Sequence, residues 1–225
     1  MADSFITPAE RRRLKVRDSI LEAAERVFVS EGEAGLSIRR IADEIDYSPA
    51  AIYKYFESKD ELINELKEAF FGRILKCVNQ LYEGEASFSK RARSCVIGYV
   101  RTALEKPHHY VAAFSGEAPP FPASVDPEAF KTTNRARAFI ILAGMVEEGV
   151  KSGHFRHDIH PSDTAKYVWA AMHGLAMMIA HFREFPNMSV MPSSMTQDEF
   201  IDMYADRIIR SLEVAPDGSH TNGKG

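Results

Sequence analysis

The sequence has little of what marks secreted, membrane or disulfide-bonded proteins. Its 225 residues include only two cysteines, Cys77 and Cys95, which form no CxxC motif and are too few for a disulfide framework. No apolar run reaches the length of about 18 residues that a transmembrane helix needs, and the N-terminus has no apolar stretch ahead of a cleavage site. We therefore expect a cytoplasmic protein with reduced thiols and no membrane partner.

The sequence also lacks an excess of positive charge. It has 28 Lys and Arg against 32 Asp and Glu, for a net charge of -4, and residues 1–60 hold 10 basic and 12 acidic side chains. Since nucleic-acid-binding proteins are usually basic, this balance argues at first against DNA. The basic residues are nevertheless grouped, with five of them between Arg11 and Arg17. Placement can replace net charge, so the balance predicts weak non-specific binding, sharp salt sensitivity and reliance on a dimer.

Alternation of apolar and polar residues, which marks a half-buried strand, is absent over any useful length, whereas helical signals recur. Capping boxes begin at Thr7, Ser58 and Thr196. The pattern predicts an all-α chain, with a Pro-rich loop over 115–127 and a disordered polar tail over 215–225. The predicted helices cover residues 8–32, 37–45, 48–56, 58–81, 88–103, 126–151, 161–185 and 196–214.

Residues 37–56 predict two short helices joined by a tight turn at Asp46 and Tyr47. Apolar side chains at helical spacing would bury one face of this pair against the first helix. The arrangement is typical of a helix-turn-helix, whose second helix enters the major groove of DNA. A corner between two helices in any helical protein has the same spacing, so the spacing alone leaves both interpretations open.

Residues 15–60 resemble the DNA-binding domain of the TetR family of bacterial transcriptional regulators. The matching blocks are Ile20-Leu21-x-Ala23-Ala24-x-x-x-Phe28, Gly32, Leu36-Ser37-Ile38-x-x-Ile41-Ala42, Ser48, Ile52-Tyr53-x-Tyr55-Phe56 and Ser58-Lys59-x-x-Leu62. The family usually has Gly-Val where this chain has Asp46-Tyr47, and Asp can adopt the left-handed conformation at modest cost. The resemblance implies a three-helix DNA-binding domain with a helix-turn-helix over residues 8–57.

The resemblance also implies which side chains would meet DNA. Ser37, Tyr53 and Lys59 would contact phosphates. Base edges would face Ala50, Ala51, Lys54 and Arg40, and Ser48 belongs to the same surface. Lys54 is the candidate for direct readout, because Lys can donate to guanine O6 and N7. Arg40 lies four residues before Glu44, so an ordinary ion pair on one helix is the alternative role for it.

By the same resemblance, residues 58–214 form a helical bundle that binds a ligand and dimerises. The string Trp169-Ala170-Ala171-Met172-His173-Gly174 resembles the WHG-type C-terminal domain of a subset of these regulators. Aromatic and Met side chains suit a pocket for an apolar ligand, although each could equally belong to the core. The candidates are Tyr110, Phe114, Phe139, Trp169, Met172, His173 and Met177.

The last two long helices carry apolar residues on more than one face, including Val168, Ala171, Leu175, Phe200, Met203, Tyr204, Ile208, Ile209 and Leu212. In the family, these two helices of each subunit form a four-helix dimer interface. A core that packs on two sides of each helix would give the same breadth.

Signs of a catalytic or metal site are weak. His154, His157 and His160 form an HxxHxxH pattern that fits no standard zinc signature, so we expect a structural turn, no metal and no cofactor. There is no Gly-rich phosphate loop, nucleophile elbow or ligand triad. The sequence predicts a ligand-responsive repressor that binds a palindromic operator as a homodimer and is released by a small apolar or aromatic effector. An all-helical enzyme and a protein-interaction adaptor without DNA binding are the alternatives.

Overall fold

The structure is a computed structural model that describes residues 7–82, 87–114, 130–182 and 184–214. Within these ranges the chain is helical and forms no β-strand beyond isolated bridges, which confirms the all-α fold class. The helices are α1 (Pro8–Gly35), α2 (Ile38–Glu44), α3 (Pro49–Ile52), α4 (Lys59–Tyr82), α5 (Phe88–Glu105), α6 (Pro107–Phe114), α7 (Asn134–Lys151), α8 (Pro161–His181) and α9 (Gln197–Arg210). None of these described helices is long and apolar enough to cross a membrane.

The first three helices enclose a small apolar core. Its centre consists of fully buried side chains from α1, α2 and the α3 segment: Ile20, Ala23, Ala24, Val27, Ile41, Ile52 and Phe56. Near its C-terminus α1 leaves helical geometry at Gly32, where φ is 70° and ψ is -169°, a conformation that only glycine adopts readily. The glycine redirects the chain towards α2, so that α2 packs back against α1.

A larger core lies between α4, α5, α7, α8 and α9. The apolar stripe of α5 is buried there, including Phe88, Ala92, Val96, Tyr99, Val100 and Ala103. Helix α4 joins the two cores, since Leu62 and Leu66 pack in the first and Phe70 and Phe71 in the second. The boundary between residues 57 and 58 stays a prediction.

Helix α6 was not predicted as a separate element. Lys106 has a non-helical backbone (φ -138°, ψ 70°) and ends α5, and Pro107 then starts a new helix, in the position where proline is tolerated. Ala112 and Ala113 of α6 pack in the small core, whereas Tyr110 packs in the large one. Helix α6 therefore contacts both halves of the chain.

Other helix ends differ by a few residues from the predicted ones. Helix α3 ends at Ile52 and is followed by a turn, α8 ends at His181, and α9 ends at Arg210. In the described part of the chain α7 begins at Asn134, where the Thr133 side chain accepts the Ala136 N–H at 3.2 Å. The predicted loop over 115–127, the helix start at 126 and the tail over 215–225 lie outside the described residues.

Candidate nucleic-acid interface and effector cavity

Capping interactions define both ends of α2, the first helix of the predicted helix-turn-helix. The Ser37 hydroxyl accepts the Arg40 N–H at 3.2 Å and starts α2. At the other end Asp46 has a φ of 55°, and the Tyr47 N–H donates to the Ala42 carbonyl at 2.9 Å, which closes the helix in a Schellman-type bond. The expectation that Asp46 takes the left-handed conformation is confirmed, and the tight turn between α2 and α3 is formed.

The second helix of the pair is short and points one face outward. The Ser48 hydroxyl accepts the Ala51 N–H at 3.2 Å, and Pro49 occupies the first helical position. Ile52 and Phe56 are fully buried and anchor this segment, whereas Ala50, Tyr53 and Lys54 are exposed. A set of exposed side chains on a firmly anchored segment is the geometry that a base-reading helix needs.

The other predicted contacts surround this face. Ser37 and Ser48 are exposed, and a serine hydroxyl that accepts a backbone N–H can still donate its own hydrogen to a phosphate. Ala51, Arg40 and Lys59 are half-buried. The structure places all eight residues in one part of the α2–α3 unit and the start of α4, while their contacts with DNA stay predictions.

Two arginines of this region have protein partners. Arg40 Nε lies 2.5 Å from Glu31 Oε1, and its Nη1 lies 3.7 Å from Glu44 Oε2. The contact with Glu44 is the ion pair within one helix that was the alternative role for Arg40. Arg17 Nη2 lies 2.7 Å from Glu65 Oε1, its Nη1 donates to the Tyr55 carbonyl at 3.0 Å, and its guanidinium covers the Phe56 ring. Arg17 thus fixes α1 against α4, whereas Arg11, Arg12, Arg13 and Lys15 are exposed.

An apolar cavity lies in the large core between α4, α5, α7 and α8. It is lined by Phe71, Ile74, Leu75, Val78, Cys95, Val96, Tyr99, Ala138, Phe139, Ile141, Leu142, Met145, Trp169 and Met172. Its open volume is about 40 Å³. Ligand pockets usually measure roughly 300–1,000 Å³, so a ligand of ordinary size would have to push its walls apart.

A buried polar network borders this cavity. The Tyr99 and Tyr110 hydroxyls lie 3.0 Å apart, Trp169 Nε1 donates to the Tyr99 hydroxyl at 3.2 Å, and both hydroxyls contact His173 Nδ1. Burial raises the pKa of Tyr99 to about 12 and lowers the pKa of His173. Both shifts favour neutral forms, so the network offers a few hydrogen-bonding groups beside an apolar wall without a net charge.

The predicted ligand residues fall into three groups. Phe139, Trp169 and Met172 line the cavity. Tyr110, Phe114 and His173 form an aromatic cluster next to it, with the Phe114 and His173 ring centres 4.9 Å apart, and Met177 packs against the core without lining the cavity. Tyr99 also lines the cavity but was not among the predicted ligand residues; its signal in the sequence was a hydroxyl-bearing side chain on an otherwise apolar stripe.

The helix-turn-helix, the helical second domain and the central cavity define a class, that of ligand-responsive DNA-binding regulators. A family described as "Bacterial regulatory proteins, tetR family" matches residues 20–66, and the description "Tetracyclin repressor-like, C-terminal domain" matches residues 92–202. The chain belongs to the TetR family of transcription regulators, which are not enzymes. The narrower resemblance to the WHG-type subset stays a prediction.

The named relatives include a transcriptional repressor and a nucleoid occlusion factor. The HTH-type transcriptional repressor KstR2 of Mycolicibacterium smegmatis is 24% identical over 157 residues, covering 70% of this chain and 73% of the relative. The nucleoid occlusion factor SlmA of Aliivibrio fischeri is 34% identical over 84 residues, 37% of this chain and 43% of its own.

Solved structures share the fold. The ketosteroid transcriptional regulator KstR2 of Mycobacterium tuberculosis superposes with a TM-score of 0.63 at 17% identity, covering 88% of this chain and 95% of its own. A bacterial regulatory protein of the tetR family from Rhodococcus RHA1 has a TM-score of 0.66 at 20% identity, covering 90% and 99%. At these identities the likeness establishes the architecture alone.

Proposed function

We propose that the protein is a repressor that binds a palindromic operator as a homodimer and leaves it when a small apolar or aromatic effector enters the cavity. The observation that carries the DNA half is the exposed face of Ala50, Tyr53 and Lys54 on a segment anchored by buried Ile52 and Phe56. Lys54 at this face would donate to guanine, while Tyr53 and Lys59 beside it would contact phosphates.

The two lysines give a matched test of this interface. Lys54→Ala should weaken operator binding by about 1–3 kcal/mol and relax specificity at one base position, because it removes a contact to a base edge. Lys59→Ala should weaken binding to all sequences alike, because it removes a phosphate contact. Gel shifts against DNA flanking the protein's own gene, with each base of the bound site varied in turn, separate the two effects. An unchanged base preference in Lys54→Ala would contradict the reading role.

An exposed apolar stripe on α8 supports the proposed dimer. Several residues that suggested an interface in the sequence, among them Val168, Leu175 and Ile208, are buried in the chain's own core. Helix α8 also carries an outward stripe of small and apolar residues, consisting of Tyr167, Ala170, Gly174 and Met178. Tyr167 is 50% exposed and Met178 40% exposed, and a side chain added at Gly174 would meet nothing within 4 Å. We assign this stripe to the contact with a second copy, in which a glycine lets two helices approach closely.

The small cavity supplies a physical reason for the response to an effector. A ligand must displace the Phe71 and Phe139 rings, whose centres lie 6.1 Å apart on α4 and α7. Because α4 begins beside the DNA-reading pair, a shift of α4 moves that pair. A coupling free energy of about 1–3 kcal/mol would weaken operator binding roughly 5- to 150-fold.

Helix α6 offers a parallel route. Tyr110 bonds to His173 beside the cavity, whereas the adjacent His109 donates from Nε2 to the Leu66 carbonyl at 3.1 Å and places Nδ1 3.5 Å from Glu25 Oε2. The hydrogen bond with His109 lowers the pKa of Glu25, so this α1 carboxylate is held ionised at the contact. A displacement at the cavity therefore reaches α1 through two neighbouring residues of one helix.

The effector half of the proposal is tested by operator release. A library of apolar and aromatic compounds is screened for a raised melting temperature of the protein, and each hit is added to the operator complex. A hit should weaken operator binding within the 5- to 150-fold range given above. If compounds that stabilise the protein leave operator affinity unchanged, the cavity is not a sensor.

A further inference from the structure

Two cationic side chains each lie one helical turn before a residue that lines the apolar cavity. Lys67 of α4 precedes Phe71 by one helical turn, and Arg135 of α7 precedes Phe139 by one turn. Phe71 and Phe139 both line the cavity and contact each other. The N-terminal end of α7 is joined to α4 here, because the Glu68 carboxylate accepts the backbone N–H groups of residues 134 and 135 at 2.7 and 3.3 Å.

Lys67 is an unusual residue to find inside a protein. It is only 8% exposed, and across the described ranges it forms no hydrogen bond or ion pair. Its ammonium nitrogen lies 5.9 Å from the centre of the Phe114 ring, which in turn contacts Phe71 of the cavity wall. Burial lowers the pKa of Lys67 and the positive charge of Arg135 lowers it further, while the more weakly acting negative charge of Asp60 opposes both.

Arg135 has a similar deficit. Its Nε is buried and lacks a hydrogen-bond partner within the part of the chain that the structure describes. Its guanidinium covers the Phe130 ring at 5.2 Å. The carboxylate of Glu68, which follows Lys67 on α4, is occupied by backbone N–H groups of α7. Both cations therefore keep donors that no described protein group satisfies.

Partial burial of an unpaired cation costs free energy, and placing two cations of the same sign close together adds to that cost. An oxyanion between them would neutralise both charges and accept their free donors. We infer that Lys67 and Arg135 bind the anionic end of the effector, which is an apolar molecule with a terminal carboxylate or phosphate. The apolar body would occupy the cavity. This inference rests on the proposed function and specifies the chemical class of ligand at the same site.

The test compares three probes with the same apolar body: dodecanoate, dodecyl phosphate and dodecanol. Binding to the full-length protein is measured by titration calorimetry. We expect one of the two anions to bind at least about 10-fold more tightly than the alcohol, a difference of about 1.4 kcal/mol. The tighter of the two anions identifies the oxyanion. Equal binding of acid, phosphate and alcohol, or no binding of any of them, would overturn the inference.

Two variants show whether the cations are responsible. Lys67→Met keeps the length of the side chain and removes its charge, so the preference for the anion over the alcohol should disappear. Because the partial desolvation of an unpaired charge is removed, this variant should also melt at a higher temperature than the wild type, so it should remain folded. Arg135→Met should reduce the preference in the same way. Lys76→Met, on an exposed position of α4, is the control and should keep the full preference.

The outcome can be separated from that of the repressor proposal. Operator binding by the wild-type protein is measured without any probe. Operator binding together with equal affinity for acid and alcohol would overturn the anion site and leave the repressor standing. If the protein binds no operator but prefers the anion, and Lys67→Met loses that preference, the anion site would stand and the repressor proposal would be overturned.

Discussion

At the scale of the residue, His173 links a buried site to a measurable dependence on pH. Burial lowers its pKa below the ordinary value of 6.5, so the unfolded chain binds a proton at a pH where the folded protein does not. The free energy of unfolding should therefore rise with pH up to about 6.5 and fall as the pH drops below that value. Urea unfolding at pH 7.5 and 5.5 should show a less stable protein at pH 5.5.

Substitution assigns this effect to His173. His173→Gln keeps an acceptor for the Tyr110 hydroxyl but cannot take up a proton, so its loss of stability between the two pH values should be smaller than that of the wild type. His157→Gln, at an exposed position in the loop before α8, should behave like the wild type. If His173→Gln lost as much stability between pH 7.5 and 5.5 as the wild type does, groups other than His173 would cause the pH dependence.

At the scale of the element, the turn between α2 and α3 depends on one backbone conformation. Asp46 has a φ of 55°, which glycine adopts freely and β-branched residues resist. Asp46→Gly should therefore leave operator binding and stability close to those of the wild type. Asp46→Val should lower the free energy of unfolding by roughly 1–2 kcal/mol or more.

Denaturation of both variants measures this difference. Asp43→Val is the matched control, because Asp43 is exposed on regular α2 and should cost only the few tenths of a kcal/mol typical of helix propensity. Equal losses at positions 43 and 46 would show that the turn carries no special constraint.

The sequence predicted the elements that have local signals. Ser37, Ser48 and Thr196 are N-cap residues whose hydroxyls accept backbone N–H groups, so they indicated where helices begin. Asp46 indicated the turn. The cavity could not be predicted from the sequence. Phe71 and Tyr99 belong to apolar stripes that look like ordinary core until helices from distant parts of the chain are packed together. The Lys67–Arg135 pair was missed for the same reason, since the two residues are 68 positions apart.

At the scale of the whole molecule, the exposed stripe on α8 predicts a dimer. Gly174→Glu places a charge on that stripe, at an exposed position where an added Cβ meets no atom within 4 Å. We expect the variant to be monomeric and to bind the operator at least about 10-fold more weakly, because a monomer has a single α2–α3 pair and lacks the DNA contacts of the second one. Sedimentation and gel shifts measure the two effects.

Gly144→Glu provides the control for this change. Gly144 lies on α7, is exposed and also has nothing within 4 Å of an added side chain. The control should remain a dimer with full affinity for the operator. A dimeric Gly174→Glu protein would contradict the assignment of the α8 stripe.

The central claim is that two copies of the α2–α3 pair read DNA together, and selection from a random DNA pool tests it most directly. The wild-type protein is mixed with the pool at moderate salt, and the bound DNA is sequenced. We expect an inverted repeat whose half-sites lie one helical turn, about 34–36 Å, or a multiple of it apart, and binding that weakens steeply as salt is added. Bound DNA with no enriched sequence, or with a single unrepeated half-site, would contradict the claim.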